Sequence, residues 1–236
     1  MTNFWRSVGA AALLCVLAAC ASKPSIPYDS SQANSIKTIG LLTPGGPSGP
    51  RAILATTVGQ SFGLVGALID AGMAESRESD LRALFRGQNF AADDIVIAEV
   101  TASLQARGYT VVNVPVTRTD HALKKSYSGM SGSADAYLDM MYHYGYISAG
   151  IAGSTPYRPF FYADVRLVKA SDSSVLMEDS IFYNPMNAPK GRVVISPSPD
   201  YAFPKFDNVT SNPEKVTEGM RLAIHDSADA IGKLLK

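Results

Sequence analysis

Apolar and polar positions alternate along this chain in runs whose length and spacing predict most of its secondary structure. Residues 35–43 form a short, partly β-branched apolar run that ends at the turn residues 44–47 (Pro-Gly-Gly-Pro), which predicts a first strand. Comparable runs predict further strands at residues 109–117, 134–147, 160–170 and 175–184, and a short one at 193–195. The polar residues 171–174 between two of these runs favour a hairpin.

Helical spacing appears in two other regions. Residues 94–107 place apolar side chains three and four positions apart, with Asp93 or Asp94 as the cap and Gly108 as the stop. The predicted inner face of this helix consists of Ile97, Val100, Thr101 and Leu104. A closing helix is predicted from Ser211, with a Ser211–Glu214 capping box and an apolar stripe of Val216, Met220, Ala223, Ile224, Ser227, Ile231 and Leu234.

These elements together predict an α/β fold. A helix, a glycine and a strand in close succession imply that the strand at residues 109–117 pairs beside the first strand, with the helix covering the sheet. We therefore expect one domain over residues 35–236, built on a single mixed sheet of about four to five strands covered by helices. A Gly/Ala-rich helical insertion is predicted after the first strand.

That insertion, residues 52–74, is mostly apolar. Five small residues recur at four-residue spacing and would form one stripe on a helix: Ala55, Gly59, Gly63, Ala67 and Ala71. Each interior glycine costs a helix about 1 kcal/mol relative to alanine, so close packing has to compensate. One interpretation is a buried helix or helical hairpin within the domain, and the other is a membrane-dipping or self-associating element. Asp70 argues against a plain membrane span.

The amino-terminal residues 1–19 have the organisation of a signal peptide. Arg6 precedes an apolar run at residues 8–17, which is shorter than the about 20 residues that a membrane-spanning helix needs. The sequence Leu17-Ala18-Ala19-Cys20 resembles the lipobox of bacterial lipoproteins. The resemblance implies cleavage before Cys20, acylation of its thiol, and, because Ala21 is not aspartate, a place in the outer membrane with the domain facing the periplasm. The small, polar residues 20–34, with two prolines, are predicted to form a flexible linker.

The composition argues against nucleic-acid binding, disulfide bonds and a metal site. Removing 19 of 236 residues leaves 217, with 20 basic and 21 acidic side chains once Arg6 is gone, so no electrostatic case exists for nucleic acid. Cys15 leaves with the signal peptide and Cys20 carries lipid, so the mature chain has no thiol to pair. The three histidines, His121, His143 and His225, are not spaced as metal ligands, and no cofactor or metal is predicted.

Three other groups of residues invite functional interpretation. The serine- and glycine-rich residues 128–133 do not fit the Gly-x-Ser-x-Gly pattern and favour a loop over a nucleophile. The charged side chains of Asp164, Arg166, Glu178 and Asp179 favour a solvated sheet face with a cross-strand pair over an acid–base site. Tyr142, Tyr144 and Tyr146 share one strand face, and they serve either the core or an exposed face that binds glycan or protein.

The order of elements over residues 35–236 resembles the compact α/β domain of several periplasm-facing lipoproteins. Examples are the curli-secretion channel lipoprotein, the penicillin-binding-protein activator lipoproteins and the amino-terminal domain of the Tol–Pal translocation protein. The resemblance implies a non-enzymatic accessory or assembly factor, held to the membrane through Cys20, that binds an envelope protein partner. Whether the chain also forms a homo-oligomer is left open by the sequence. Two alternatives remain: an oligomeric, membrane-inserting or secretion-channel-like lipoprotein, and a cell-envelope hydrolase.

Overall fold

A computed structural model describes residues 25–29, 31, 35–55, 71–130, 134–149, 155–188 and 190–236. Cys20, the serines of residues 131–133 and the middle of the small-residue stripe (Gly59, Gly63 and Ala67) lie outside the described residues. Three statements therefore stay predictions: that Cys20 is acylated, that Gly59, Gly63 and Ala67 form a stripe, and that residues 131–133 belong to a loop.

The described residues form seven strands and four α-helices. The strands are β1 (Thr38–Leu42), β2 (Arg51–Ala55), β3 (Thr110–Val114), β4 (Ala136–Ala149), β5 (Arg158–Lys169), β6 (Val175–Tyr183) and β7 (Val193–Ile195). The helices are α1 (Ala71–Gly87), α2 (Ala92–Gln105), α3 (Phe206–Thr210) and α4 (Pro213–Lys233), with a 3₁₀ turn at Pro199–Tyr201. None of the helices in this described part is long and apolar enough to cross a membrane.

All seven strands belong to one mixed sheet, so the predicted α/β class is confirmed while the predicted four to five strands are too few. The strand order is β3-β1-β4-β5-β6-β7, and β2 also pairs with β4. As predicted, β3 pairs beside β1, and β5 and β6 form an antiparallel hairpin; the β1–β3 pairing is parallel. Leu41 of β1 pairs with Leu138 and Ile53 of β2 pairs with Ile147, so β1 and β2 lie one after the other along the same edge of β4.

Strand β2 corrects the prediction that residues 52–74 are helical throughout. Ala52 and Ile53 are buried beside β4, and Ala55 is the last residue of a strand whereas Ala71 is the first residue of α1. The five small residues therefore cannot stand on one helix. A strand buried on both faces has no alternating pattern, and a short apolar run of this kind cannot be told from a helix by periodicity.

The two faces of the sheet differ in what covers them. Even-numbered side chains of β4 join the main core together with apolar residues of α2 and α4, and we call this side the helical face. The opposite side, here the open face, carries Tyr137, Asp139 and His143 of β4. The stripe of α4 is buried as predicted, from Val216 to Ile231, and its end at Leu234 is partly exposed.

Two details of the helix ends differ from prediction. Ser211 ends α3, and Asn212 precedes α4 without a side-chain cap, so the Ser211–Glu214 capping box is wrong. Val100 and Leu104 of the predicted inner face of α2 are buried, together with Ala92 and Val96, whereas Ile97 and Thr101 lie at the border of this face and are partly buried. Gly108 has φ +90°, which confirms it as the stop after α2.

The segment before β1 is held on the sheet. The backbone N–H of Ile26 donates to the carbonyl of Glu178 at 2.7 Å, and the N–H of Glu178 donates back to Ile26 at 2.9 Å. Tyr28 packs against the main core. The prediction of a free linker over residues 20–34 therefore fails for residues 25–29, because the outer edge of β6 supplies backbone partners and the core supplies apolar surface.

Candidate functional site

A cavity of about 330 Å³ opens where β1 and β3 end. Open α/β sheets bind ligands beyond the carboxyl ends of parallel strands, and β1 and β3 are such a pair. The residues that line this cavity are Thr43, Pro44, Gly45, Gly46, Asp93, Val116, Arg118, Thr119, Asp120 and His121.

The glycine-containing turn after β1 forms one wall. The N–H of Gly45 donates to the Met140 carbonyl at 2.9 Å, and the N–H of Tyr142 donates to the Gly45 carbonyl at 3.1 Å, so the turn continues the pairing with β4. A Cβ atom at Gly46 would lie 2.7 Å from both the Asp93 carboxylate and the Tyr142 hydroxyl. Glycine is needed there for close approach, and the neighbouring carboxylate disfavours an anion such as phosphate.

Behind the cavity lining, Arg118 contacts the side chain of Asp139, a residue that is 0% exposed. One of its oxygens accepts from the Arg118 guanidinium at 2.6 Å. The other accepts from the Lys124 backbone N–H at 2.6 Å and from the Tyr127 hydroxyl at 2.8 Å. Burial, and next the negative charge of Asp139, raise the pKa of Tyr127 well above its ordinary value. We call Asp139, Arg118, Lys124 and Tyr127 the Asp139 clamp.

Arg118 joins the clamp to the end of β1. Its guanidinium donates twice to the Thr43 carbonyl, at 2.9 and 2.8 Å, besides its ion pair with Asp139. Residues 115–130, which have no regular secondary structure, are thereby fixed over the open face. Arg166 of β5 extends this network by donating to the Lys124 carbonyl at 3.2 Å.

The clamp leaves exposed polar groups at the mouth of the cavity. Thr119, Asp120 and His121 are exposed, and a second depression of about 190 Å³ follows along residues 117–125. Arg118 itself is committed to Asp139 and Thr43. The arrangement therefore presents an ordered polar loop for recognition, and within the described residues no three His, Cys, Asp or Glu side chains gather as metal ligands.

The predicted tyrosine face is in the core. Tyr142, Tyr144 and Tyr146 are each 7% exposed or less and lie on the helical face. The Tyr142 hydroxyl donates to Asp93 of α2, and the Tyr146 hydroxyl donates to the Val216 carbonyl of α4 at 2.7 Å. Burial raises the pKa of Tyr144 to about 12. The interpretation as an exposed binding face is corrected, because helices cover these side chains and take up two of the hydroxyls.

The predicted charged cluster divides between the two faces of the sheet. Arg166 and Glu178 form the expected cross-strand pair at 2.8 Å, on the open face. Asp164, on the same face, accepts from the Ser180 hydroxyl at 2.6 Å. Asp179 alternates to the helical face, where it pairs with Arg192 at 2.9 Å.

Sequence reasoning missed Arg118, Lys124 and Tyr127 as partners of Asp139. The available signal was Asp139 itself, a carboxylate within a strand whose other residues are almost all apolar. Such a residue requires donors from elsewhere in the chain. The sequence does not say which of the later or earlier loops supplies them.

Comparison with known proteins finds solved structures of low sequence identity. No protein-family model and no curated protein matches the chain. Similar solved structures include a DUF330 protein from Xanthomonas campestris (13% identity, 90% of this chain and 88% of that one, TM-score 0.41). Others are a neuraminyllactose-binding hemagglutinin homologue from Helicobacter pylori (13%, 92% and 91%, 0.36) and lipoprotein GNA1162 from Neisseria meningitidis (17%, 66% and 88%, 0.31). One of these neighbours is a lipoprotein, the class of protein that residues 17–20 predict. Because each of these TM-scores is below 0.5, the proposed function rests on the residues of this chain alone.

Proposed function

We propose that this chain is a lipid-anchored protein of the bacterial envelope whose domain binds another envelope component and has no catalytic role. The lipobox-like residues Leu17 to Cys20 supply the proposed anchor. The observation that carries the proposal is the antiparallel bridge between Ile26 and Glu178, because it holds Ile26, six residues after Cys20, at one edge of the sheet.

The bridge limits how far the sheet edge lies from an acylated Cys20. Ile26 follows Cys20 by six residues, and six extended residues span at most about 21 Å. In the proposed arrangement, β6 is the edge of the sheet within reach of the bilayer. From β6, the order β5, β4, β1, β3 adds four strand spacings, or about 19 Å, so the cavity at the ends of β1 and β3 lies at the opposite edge of the sheet.

Residues 115–130 are the proposed recognition surface. Loops of this length without secondary structure are uncommon in compact domains unless they have a function. Here a buried carboxylate and an arginine hold the loop in one conformation while Asp120 and His121 stay exposed. A loop that is already ordered loses less entropy on binding than a mobile one. This supports a role for the loop in recognising a protein partner in the periplasm.

The anchor is tested by mass spectrometry of the amino terminus in wild type and Cys20→Ser. We expect an acylated Cys20 at the amino terminus of the wild-type protein, and an unacylated Cys20→Ser protein that mild carbonate or urea releases from membranes. A wild-type chain that keeps residues 1–19 and carries no lipid would refute the anchor. A Cys20→Ser variant that resists extraction would instead favour the membrane-inserting alternative.

The recognition surface is tested by a photo-crosslinking amino acid at His121 in intact cells, with Lys215, exposed on α4, as the matched control position. We expect a discrete crosslinked species from His121 that is absent from Lys215 and that disappears when Asp139→Ala frees the loop. Identical crosslinks from both positions would refute a role specific to the loop.

A further inference from the structure

The outer edge of the sheet carries exposed aliphatic side chains. Among the described residues, the exposed large hydrophobic side chains are Ile26, Val175 and Val194, at 36%, 40% and 53% exposure. Val175 begins β6, Ile26 bridges to Glu178 of β6, and Val194 lies in β7, which pairs with β6. All three therefore lie in or directly beside β6, the strand with which Ile26, six residues after Cys20, pairs.

The strand register places these three side chains on the same face. Directly paired residues of neighbouring strands point to the same side of a sheet. Followed outward from β4, the rows are Tyr137 with Val168 and Val175; Asp139 with Arg166, Glu178 and Ile26; and His143 with Tyr162, Phe182 and Val194. Each row starts from an odd-numbered residue of β4, so the three aliphatic side chains belong to the open face.

The three side chains form a line rather than scattered contacts. Val175 and Phe182, the partner of Val194, are seven residues apart on β6, or about 23 Å. Ile26 falls between them, beside Glu178. The charges on this part of the face have partners within the sheet, since Arg166 pairs with Glu178 and Asp164 accepts from Ser180. The outer edge thus presents three exposed aliphatic side chains, and the charged side chains of Arg166, Glu178 and Asp164 beside them have partners within the sheet.

We propose that this strip, formed by Ile26, Val175 and Val194, rests on the phospholipid surface. The proposal depends on acylation of Cys20, which holds Ile26, in the middle of the strip, within about 21 Å of the bilayer. A lipid anchor alone leaves a domain free to turn, whereas apolar side chains at the headgroup boundary fix one orientation. The bilayer is the occupant that fits, because the residues joining Ile26 to Cys20 end at the membrane.

The test uses the acylated protein in vesicles of phosphatidylethanolamine with a minority of phosphatidylglycerol. Cys15 and Cys20 are the cysteines of the sequence, and both are lost or blocked in the acylated chain, so Val194→Cys and Val175→Cys can be labelled selectively with an environment-sensitive fluorophore. Asn113→Cys, exposed on β3 at the opposite side of the sheet, is the matched control. Circular dichroism establishes that each labelled variant is folded.

We expect the labels at Val194 and Val175 to shift to the blue and to be quenched by nitroxide-bearing lipid, while the Asn113 label stays accessible to aqueous iodide. Acylated, vesicle-bound protein whose Val194 label is as accessible to iodide as the Asn113 label would refute the docking and leave the anchor standing. Unacylated protein that stays in solution would refute both. Shielding of Val194 that needs no vesicles and grows with protein concentration would overturn the proposal in favour of a contact between copies of the chain.

Discussion

Asp139→Ala is the substitution that tests most directly how the loop over the open face is held. The change removes a carboxylate that is 0% exposed and that accepts from Arg118, Lys124 and Tyr127. Removing one partner of a buried ion pair costs about 3–5 kcal/mol, because the remaining charge stays desolvated. Arg118 keeps its two hydrogen bonds to the Thr43 carbonyl, so we expect a loss near the lower end, about 3 kcal/mol.

The assay is urea unfolding followed by circular dichroism, since Trp5, the sole tryptophan, lies in the predicted signal peptide. With a denaturant slope of about 2 kcal/mol/M, a loss of 3 kcal/mol lowers the unfolding midpoint by about 1.5 M. Trypsin provides a local readout, because Arg118, Lys124 and Lys125 all lie in the loop and become cleavable when it is released.

Asp164→Ala is the matched control, an exposed carboxylate on the neighbouring strand of the same face, and we expect it to change stability by less than about 0.5 kcal/mol. Arg118→Ala combined with Asp139→Ala should cost less than the sum of the two single changes, because the pair is then lost together. Equal urea midpoints and equal tryptic rates for wild type and Asp139→Ala would refute the clamp.

Three further predictions concern the helices. Gly219→Ala should destabilise the fold by up to about 2 kcal/mol in a thermal or urea melt, despite the better helix propensity of alanine, because the new Cβ would lie 2.7 Å from Tyr201 Cγ. Gly87→Ala is the control and should be neutral or stabilising, since its Cβ would meet nothing within 4 Å. The opposite ranking of the two variants would contradict the packing of Gly219 on Tyr201. Hydrogen bonds from Arg107 and Lys233 lower the pKa of Asp229 to about 2, so the stability it contributes is present above pH 3.8 and is lost as pH falls toward 2; urea melts of Asp229→Asn should differ from wild type at neutral pH and converge with it near pH 2. The hydrogen bond to Glu99 raises the pKa of His225, so its contribution is complete below pH 6.5 and is lost as pH rises through the raised pKa; a His225→Gln variant whose deficit grew with pH would contradict this sign.

The sequence alone determined the elements whose pattern survives folding. The hairpin of β5 and β6, the pairing of β3 beside β1, the short strand at residues 193–195 and the buried stripe of α4 were all predicted from local periodicity and turn residues. The apolar runs and turn residues that mark the strands are local signals, and in α4 the burial of one face makes the helical spacing of the stripe visible in the sequence. The cross-strand pair of Arg166 and Glu178 follows from the predicted hairpin.

Tertiary structure decided what depends on contacts between distant residues. Strand β2 looked helical because both of its faces are buried, and only its pairing with β4 defines it. Tyr142, Tyr144 and Tyr146 share a face in any strand, but only the helices packed on that face make it core. The donors that satisfy Asp139 come from 12 to 21 residues away, and Ile26 finds Glu178 across most of the chain. Local sequence patterns indicate which side of an element is buried, whereas the residues that pack on that side are determined by the complete fold.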